Sequence, residues 1–144
     1  MRTRGNKAQN DKDSILADTK NLLVILHPAI QKMPKIERME GAPHEMKMAC
    51  YSIIKHFTTA KECPEVRADN IREMFGDYGE LLAAFDLCIH FGLLTDGEKL
   101  RIAMQLERMK EGIRKWRNAT RSPKSEAQTQ VWDGSREAPA SANR

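Results

Sequence analysis

Residues 95–117, TDGEKLRIAMQLERMKEGIRKWR, narrow what this chain can fold into more than any other stretch. Thr95 is a strong helix N-cap. Glu98, three residues later, completes a capping box, in which two side chains satisfy backbone N–H groups at the helix start. Ile102, Leu106, Met109, Ile113 and Trp116 follow at steps of four, three, four and three. That spacing lays one apolar stripe along a helix, which other elements must cover. The opposite face is expected to be basic, carrying Lys99, Arg101, Arg108, Lys110, Arg114, Lys115 and Arg117. Asp96, Glu98, Glu107 and Glu111 sit mostly toward the front, and cations gather at the back, where the helix dipole favours them. Such a face is either a solvated surface with i,i+4 pairs or a surface for an anionic partner.

Three further helices can cover the stripe. In the first, Ser14 or Asp13 serves as cap, and Ile15, Thr19, Leu22, Leu26, Ala29, Ile30 and Met33 share a face widened by Leu16 and Leu23. Pro28 falls inside this pattern and is expected to kink the helix near His27, while Pro34 ends it. Residues 35–42 read as a polar connector. Pro43 suits a first helical position. Met46, Ala49, Cys50, Ile53, Ile54 and Phe57 then mark a second helix ending near Ala60. A third is expected over 65–91, with a stripe of Ile71, Phe75, Tyr78, Leu82, Phe85 and Ile89 and with Leu81 and Cys88 beside it. Gly76 and Gly79 weaken it and suggest a close helix approach, and Gly92 suits a C-cap. The fourth helix covers 96–118. Four amphipathic helices with short connectors predict an all-α, up-down-up-down four-helix bundle. The expected organisation is a flexible basic arm over 1–12, the bundle over 13–118 and a disordered tail over 119–144, with Trp132 an incidental aromatic in the tail.

The chain of 144 residues is one domain's worth, with a formal charge of +4. A mildly basic balance permits a nucleic-acid or acidic-protein partner without demanding one. Cys50, Cys63 and Cys88 are scattered, with no zinc spacing, and suit a reducing cytoplasm. No apolar run approaches the roughly 20 residues that span a bilayer, and the N-terminus has no signal-peptide pattern. No phosphate-binding loop, nucleophile elbow or metalloprotease motif occurs. His27, His44, His56 and His90 lie without i,i+4 pairing, and no Glu-x-x-His pair suits a di-iron bundle. No catalytic constellation, metal site or cofactor is therefore expected.

A basic surface remains. Besides the fourth helix it draws on Lys55 and Lys61 in the second and on Arg67 and Arg72 at the start of the third. Such cations gain affinity for phosphates through counterion release without reading sequence. Trp116 stacks on a base only if exposed, and its place on the apolar stripe points instead to the core or an interface.

The segments LLVILHPAIQKMPK and HEMKMACYSIIKHFTTA, the long third helix and LLTDGEKLRIAMQLERMKEGIRKWR together resemble the accessory variability determinant (Avd) proteins. These accompany the reverse transcriptase of diversity-generating retroelements. They are similar in turn to the four-helix-bundle proteins encoded in intervening sequences of bacterial ribosomal RNA genes. The resemblance covers residues 22–116. It rests on His27-Pro28 and Met33-Pro34, the break between the third and fourth helices, and the closing Gly112-Ile113-Arg114-Lys115-Trp116. It implies a barrel-like homopentamer, without catalytic activity, that binds template RNA or DNA and the reverse transcriptase and supports mutagenic cDNA synthesis. The family carries arginines midway along the third helix, where this chain has Ala84, Asp86 and Cys88. That departure moves the expected nucleic-acid contacts to Lys55, Arg67, Arg72 and the fourth-helix cations. A protein-interaction bundle of the intervening-sequence type, without a nucleic-acid role, is the alternative.

Overall fold

The structure, a computed structural model, describes residues 7–121, with side chains from residue 14 onward. Among them the chain is all-helical: α1 (Lys7–Gln31), α2 (Lys35–Glu40), α3 (Ala42–Glu62), a 3-10 turn (Pro64–Val66), α4 (Arg67–His90) and α5 (Asp96–Thr120). Four long helices share one core. α3 packs closely on α4, and α1 on α5, whereas the α1–α3 and α4–α5 seams are sparser.

The first-helix stripe lies in the core as its period requires: Ile15, Thr19, Leu22, Leu26, Ala29, Ile30 and Met33 are all buried. Thr19 is the polar member, and its hydroxyl donates to the Ile15 carbonyl at 2.7 Å, so the burial leaves no orphan donor. α1 begins at Lys7, inside the segment read as an arm. Extending an existing helix adds a hydrogen bond per residue fixed, whereas nucleating one does not. The helix also continues through Pro28.

The connector expected over 35–42 is instead a short helix. Pro34 occupies its N-cap, and Lys35, Glu37, Arg38, Met39 and Glu40 are all good helix formers. Arg38 Nε donates to the Met33 carbonyl at 3.2 Å, tying the turn to the end of α1.

In α4 the buried set is Ile71, Met74, Tyr78, Leu81, Ala84 and Cys88, together with Asp77. The expected stripe was therefore rotated. Leu81 is fully buried, whereas Leu82 is 42% exposed and Ile89 38% exposed. α4 carries apolar residues over more than one face, and periodicity alone did not choose which face meets the core. Gly76 and Gly79 do not mark a close approach, because a Cβ added at either meets nothing within 4 Å. Gly92 does a different job. It adopts φ +67°, and its N–H donates to the Ile89 carbonyl while Leu93 N–H donates to Cys88, both at 3.0 Å. That is the Schellman pattern, which satisfies the last carbonyls of α4.

α5 opens as its sequence predicts. Thr95 Oγ1 accepts from Glu98 N–H at 3.1 Å, and Thr95 N–H donates to Glu98 Oε1 at 2.9 Å. Glu98 Oε2 also pairs with Lys32 Nζ at 2.6 Å, locking the start of α5 to the end of α1. The Lys32 hydrogen bond, with the Thr95 N–H bond behind it, holds the Glu98 carboxyl below the usual carboxylate range. Trp116 is buried, its ring 5.4 Å from Phe57.

Candidate nucleic-acid interface

The fourth-helix cations do not form one face. Lys99, Lys110, Arg114 and Arg117, at steps of eleven, four and three, share one flank of α5, and Arg121, the C-cap residue that follows the helix, extends the line. Arg101, Arg108 and Lys115, seven apart, share the other. The core stripe runs between them on the inside. Outside, Leu100, Met104, Glu107 and Glu111 form a ridge, with Leu100 62% and Met104 54% exposed. Contacts assign each flank. The Arg117 guanidinium lies 4.9 Å from the Phe75 ring centroid, so the five-cation stripe runs beside α4. On the other side Gln105 Nε2 donates to the Asp18 carbonyl at 2.8 Å, and the charge of Arg108 acts on Asp18, so the three-cation stripe runs beside α1. Burial pushes the Asp18 carboxyl up, against the opposing pull of the Gln105 hydrogen bond and then Arg108.

Several of these cations already hold partners of differing strength. Arg114 pairs with Glu111 at 2.7 Å, Lys99 with Asp96 at 3.1 Å and Arg72 with Asp69 at 3.0 Å, each three residues apart along a helix. Such pairs at the surface contribute little, so a phosphate can displace the carboxylate. The Arg114 hydrogen bond holds Glu111 below the usual carboxylate range, with Lys115 and Lys110 helping at longer range. Arg101, Arg108, Lys110 and Lys115 form no ion pair among the described residues.

Arg67 is differently employed. Its Nε donates to the Ala60 carbonyl at 2.8 Å and an NH2 group to Lys61 at 3.3 Å. Its guanidinium stands 5.9 Å from the Trp116 ring. It satisfies carbonyls at the end of α3. Lys55 is exposed on α3.

Where α4 begins and α5 ends, Arg72, Arg117 and Arg121 line a cleft of about 450 Å³ with Ile71, Phe75 and Thr120. Arg117 Nε is buried there without a hydrogen-bond partner. Arg121 is the member that sequence reasoning missed, because it lay beyond the expected helix end. The four-residue step from Arg117 was the available signal.

A polar cluster joins α3 to α4 as well. Asp77 Oδ1 accepts from Ser52 Oγ at 2.9 Å, and Asp77 Oδ2 lies 2.7 Å from His56 Nδ1. An ionised carboxylate only accepts, so the imidazole carries its proton on Nδ1. In a nucleophilic relay the imidazole stands between serine and carboxylate. Here Asp77 meets both, and Ser52 Oγ also lies 3.4 Å from the same Nδ1 that faces the carboxylate, so the imidazole does not bridge the two and the cluster is a clamp between helices. The Ser52–His56 step of four was the sequence signal on one helix; its partner Asp77 came only with the fold. Among the described residues no group of three or more His, Cys, Asp or Glu side chains is placed to hold a metal, and no helix is long and apolar enough to cross a membrane.

The fold defines the class as an all-α bundle of four long helices. No family model, curated protein or solved structure matches this chain.

Proposed function

We propose that the chain is a non-catalytic, cytoplasmic nucleic-acid-binding protein that serves as accessory to the reverse transcriptase of a diversity-generating retroelement. It binds template RNA or DNA there and supports mutagenic cDNA synthesis. The retroelement setting comes from the resemblance over residues 22–116. The physical part is carried by one observation, the stripe of Lys99, Lys110, Arg114, Arg117 and Arg121 running beside α4. We read the bundle as up-down-up-down. Contacts in reverse order support this, since Met46 meets Cys88 and Ser52 meets Asp77. The reading includes a homopentamer, in which repeated copies turn a modest stripe into a polyvalent surface. The outward Leu100 and Met104 offer apolar area for contacts between copies.

The deciding experiment is a filter-binding titration with structured RNA and single-stranded DNA across salt concentrations. Affinity falls with salt at a log–log slope of about −0.7 to −0.9 per phosphate neutralised. The double variant Lys110→Glu/Arg114→Glu loses at least about tenfold in affinity and flattens the slope. Arg101→Glu/Arg108→Glu, on the other flank, loses less. Absence of binding at low salt removes the nucleic-acid role and leaves the protein-interaction bundle.

A further inference from the structure

We propose that the cleft between the start of α4 and the end of α5 binds one phosphorylated nucleoside, either free or as the phosphate-bearing end of a strand. The proposal takes its ligand class from the nucleic-acid reading above, and its test separates the two.

Three guanidinium groups from two helices, Arg72, Arg117 and Arg121, line this one space. Their planar forks match phosphate oxygens in pairs, which a lysine ammonium does not. The charge count chooses among phosphates. An internal diester carries one negative charge, whereas a phosphate monoester carries about −1.5 to −2 at neutral pH. Three arginines suit the second. Competition is weak: among the described residues the ion pair these arginines make is Arg72–Asp69, whose side chains are 73% and 70% exposed. Arg117 is held over Phe75 and keeps a buried Nε without an acceptor.

The remaining lining argues against a bare inorganic anion. The half-buried Phe75, already in contact with Arg117, leaves a small apolar area at the cleft that a phosphate alone does not use and a nucleoside can meet. The cleft volume, about 450 Å³, falls within the range of small-molecule sites.

The test uses fluorescence anisotropy with a short single strand labelled at its 3′ end, carrying either a 5′-phosphate or a 5′-hydroxyl, at physiological salt. The full chain is expected to bind the 5′-phosphate form about tenfold tighter, the scale of one charge-assisted bidentate contact. Arg72→Ala/Arg121→Ala removes that preference; because both cations also belong to the basic surface, binding of the 5′-hydroxyl form weakens too, but by a smaller factor than that of the 5′-phosphate form. Both side chains are at the surface, and circular dichroism checks that the variant folds. Lys110→Glu/Arg114→Glu weakens both forms alike and keeps the preference. Displacement of the 5′-phosphate strand by AMP assigns the site to a free nucleotide, and a persistent preference without displacement assigns it to a strand end. AMP binding by calorimetry, abolished in the arginine variant, supports the cleft even where no strand binds and the nucleic-acid role has failed. Equal affinity for both strands, together with no AMP binding, overturns the proposal.

Discussion

Toward α3, helix α4 turns Asp77, which accepts from Ser52 and lies against His56, and Cys88, whose Sγ sits 3.8 Å from Met46 Sδ. On another flank the same helix carries Phe75, Leu82 and Ile89, seven residues apart and half-buried or exposed, with Arg117 of α5 laid across the phenyl ring. One seam is closed by complementary packing and a satisfied buried carboxylate. The other is left partly open, with apolar side chains on α4 and cations on α5. Closed seams hold the fold together. A half-open seam rich in cations offers itself to a ligand, because its desolvation is incomplete and the carboxylates its cations meet are held only in surface pairs.

The largest expected effect breaks the closed seam. Asp77→Ala leaves Ser52 and His56 without their acceptor and is expected to cost about 1–3 kcal/mol for each donor left unpaired, read by urea denaturation. Leu81→Ala follows, at about 2–4 kcal/mol, from lost burial plus the cavity left behind. Its neighbour sharpens the contrast. Leu82→Ala changes stability by only about 0.5 kcal/mol, as substitutions at half-exposed sites do. Equal losses at 81 and 82 would sink the assignment of the α4 core face.

Intermediate effects come from backbone and cap. Glu98→Gln keeps the capping-box pattern and loses the charge facing Lys32, and is expected to cost about 0.5–1 kcal/mol at neutral pH. The folded carboxyl is held below the ordinary range, so its stabilisation is present above that range and is lost as pH falls through the folded value. The gap in melting temperature between wild type and Glu98→Gln therefore closes on acidification; a gap that widens contradicts the lock. Gly76→Ala is expected to add about 0.5–1 kcal/mol, since a Cβ there meets open space. The thiols give the smallest, purely chemical readout. Burial pushes Cys50 up to about 12 and Cys88, with a further push from Glu37, to about 11. Native protein should thus show one reactive thiol, the half-buried Cys63, in a dithionitrobenzoate assay, and three once unfolded.

Local signals carried most of the helices. The α5 capping box and stripe, the α1 stripe and the glycine after α4 were legible because each depends on residues three to seven apart. What failed had local patterns that allowed two outcomes. Residues 35–42 were expected as a polar connector, yet five of the six residues over 35–40 are good helix formers and the segment is helical without burying a side chain. The apolar residues of α4 cover too wide an arc for periodicity to name the inner face.

The candidate site divides along the same line. That α5 is cationic follows from its composition. That the cations fall into two flanks follows from their spacing, once the core stripe is seen to separate them. No spacing rule brings Arg72 to Arg117 and Arg121, because they sit at the start of one helix and the end of another. Sequence sets which side chains share a face of one helix, since helical geometry is fixed by the backbone. Only packing decides which faces meet, because that choice depends on the shapes of all four helices at once.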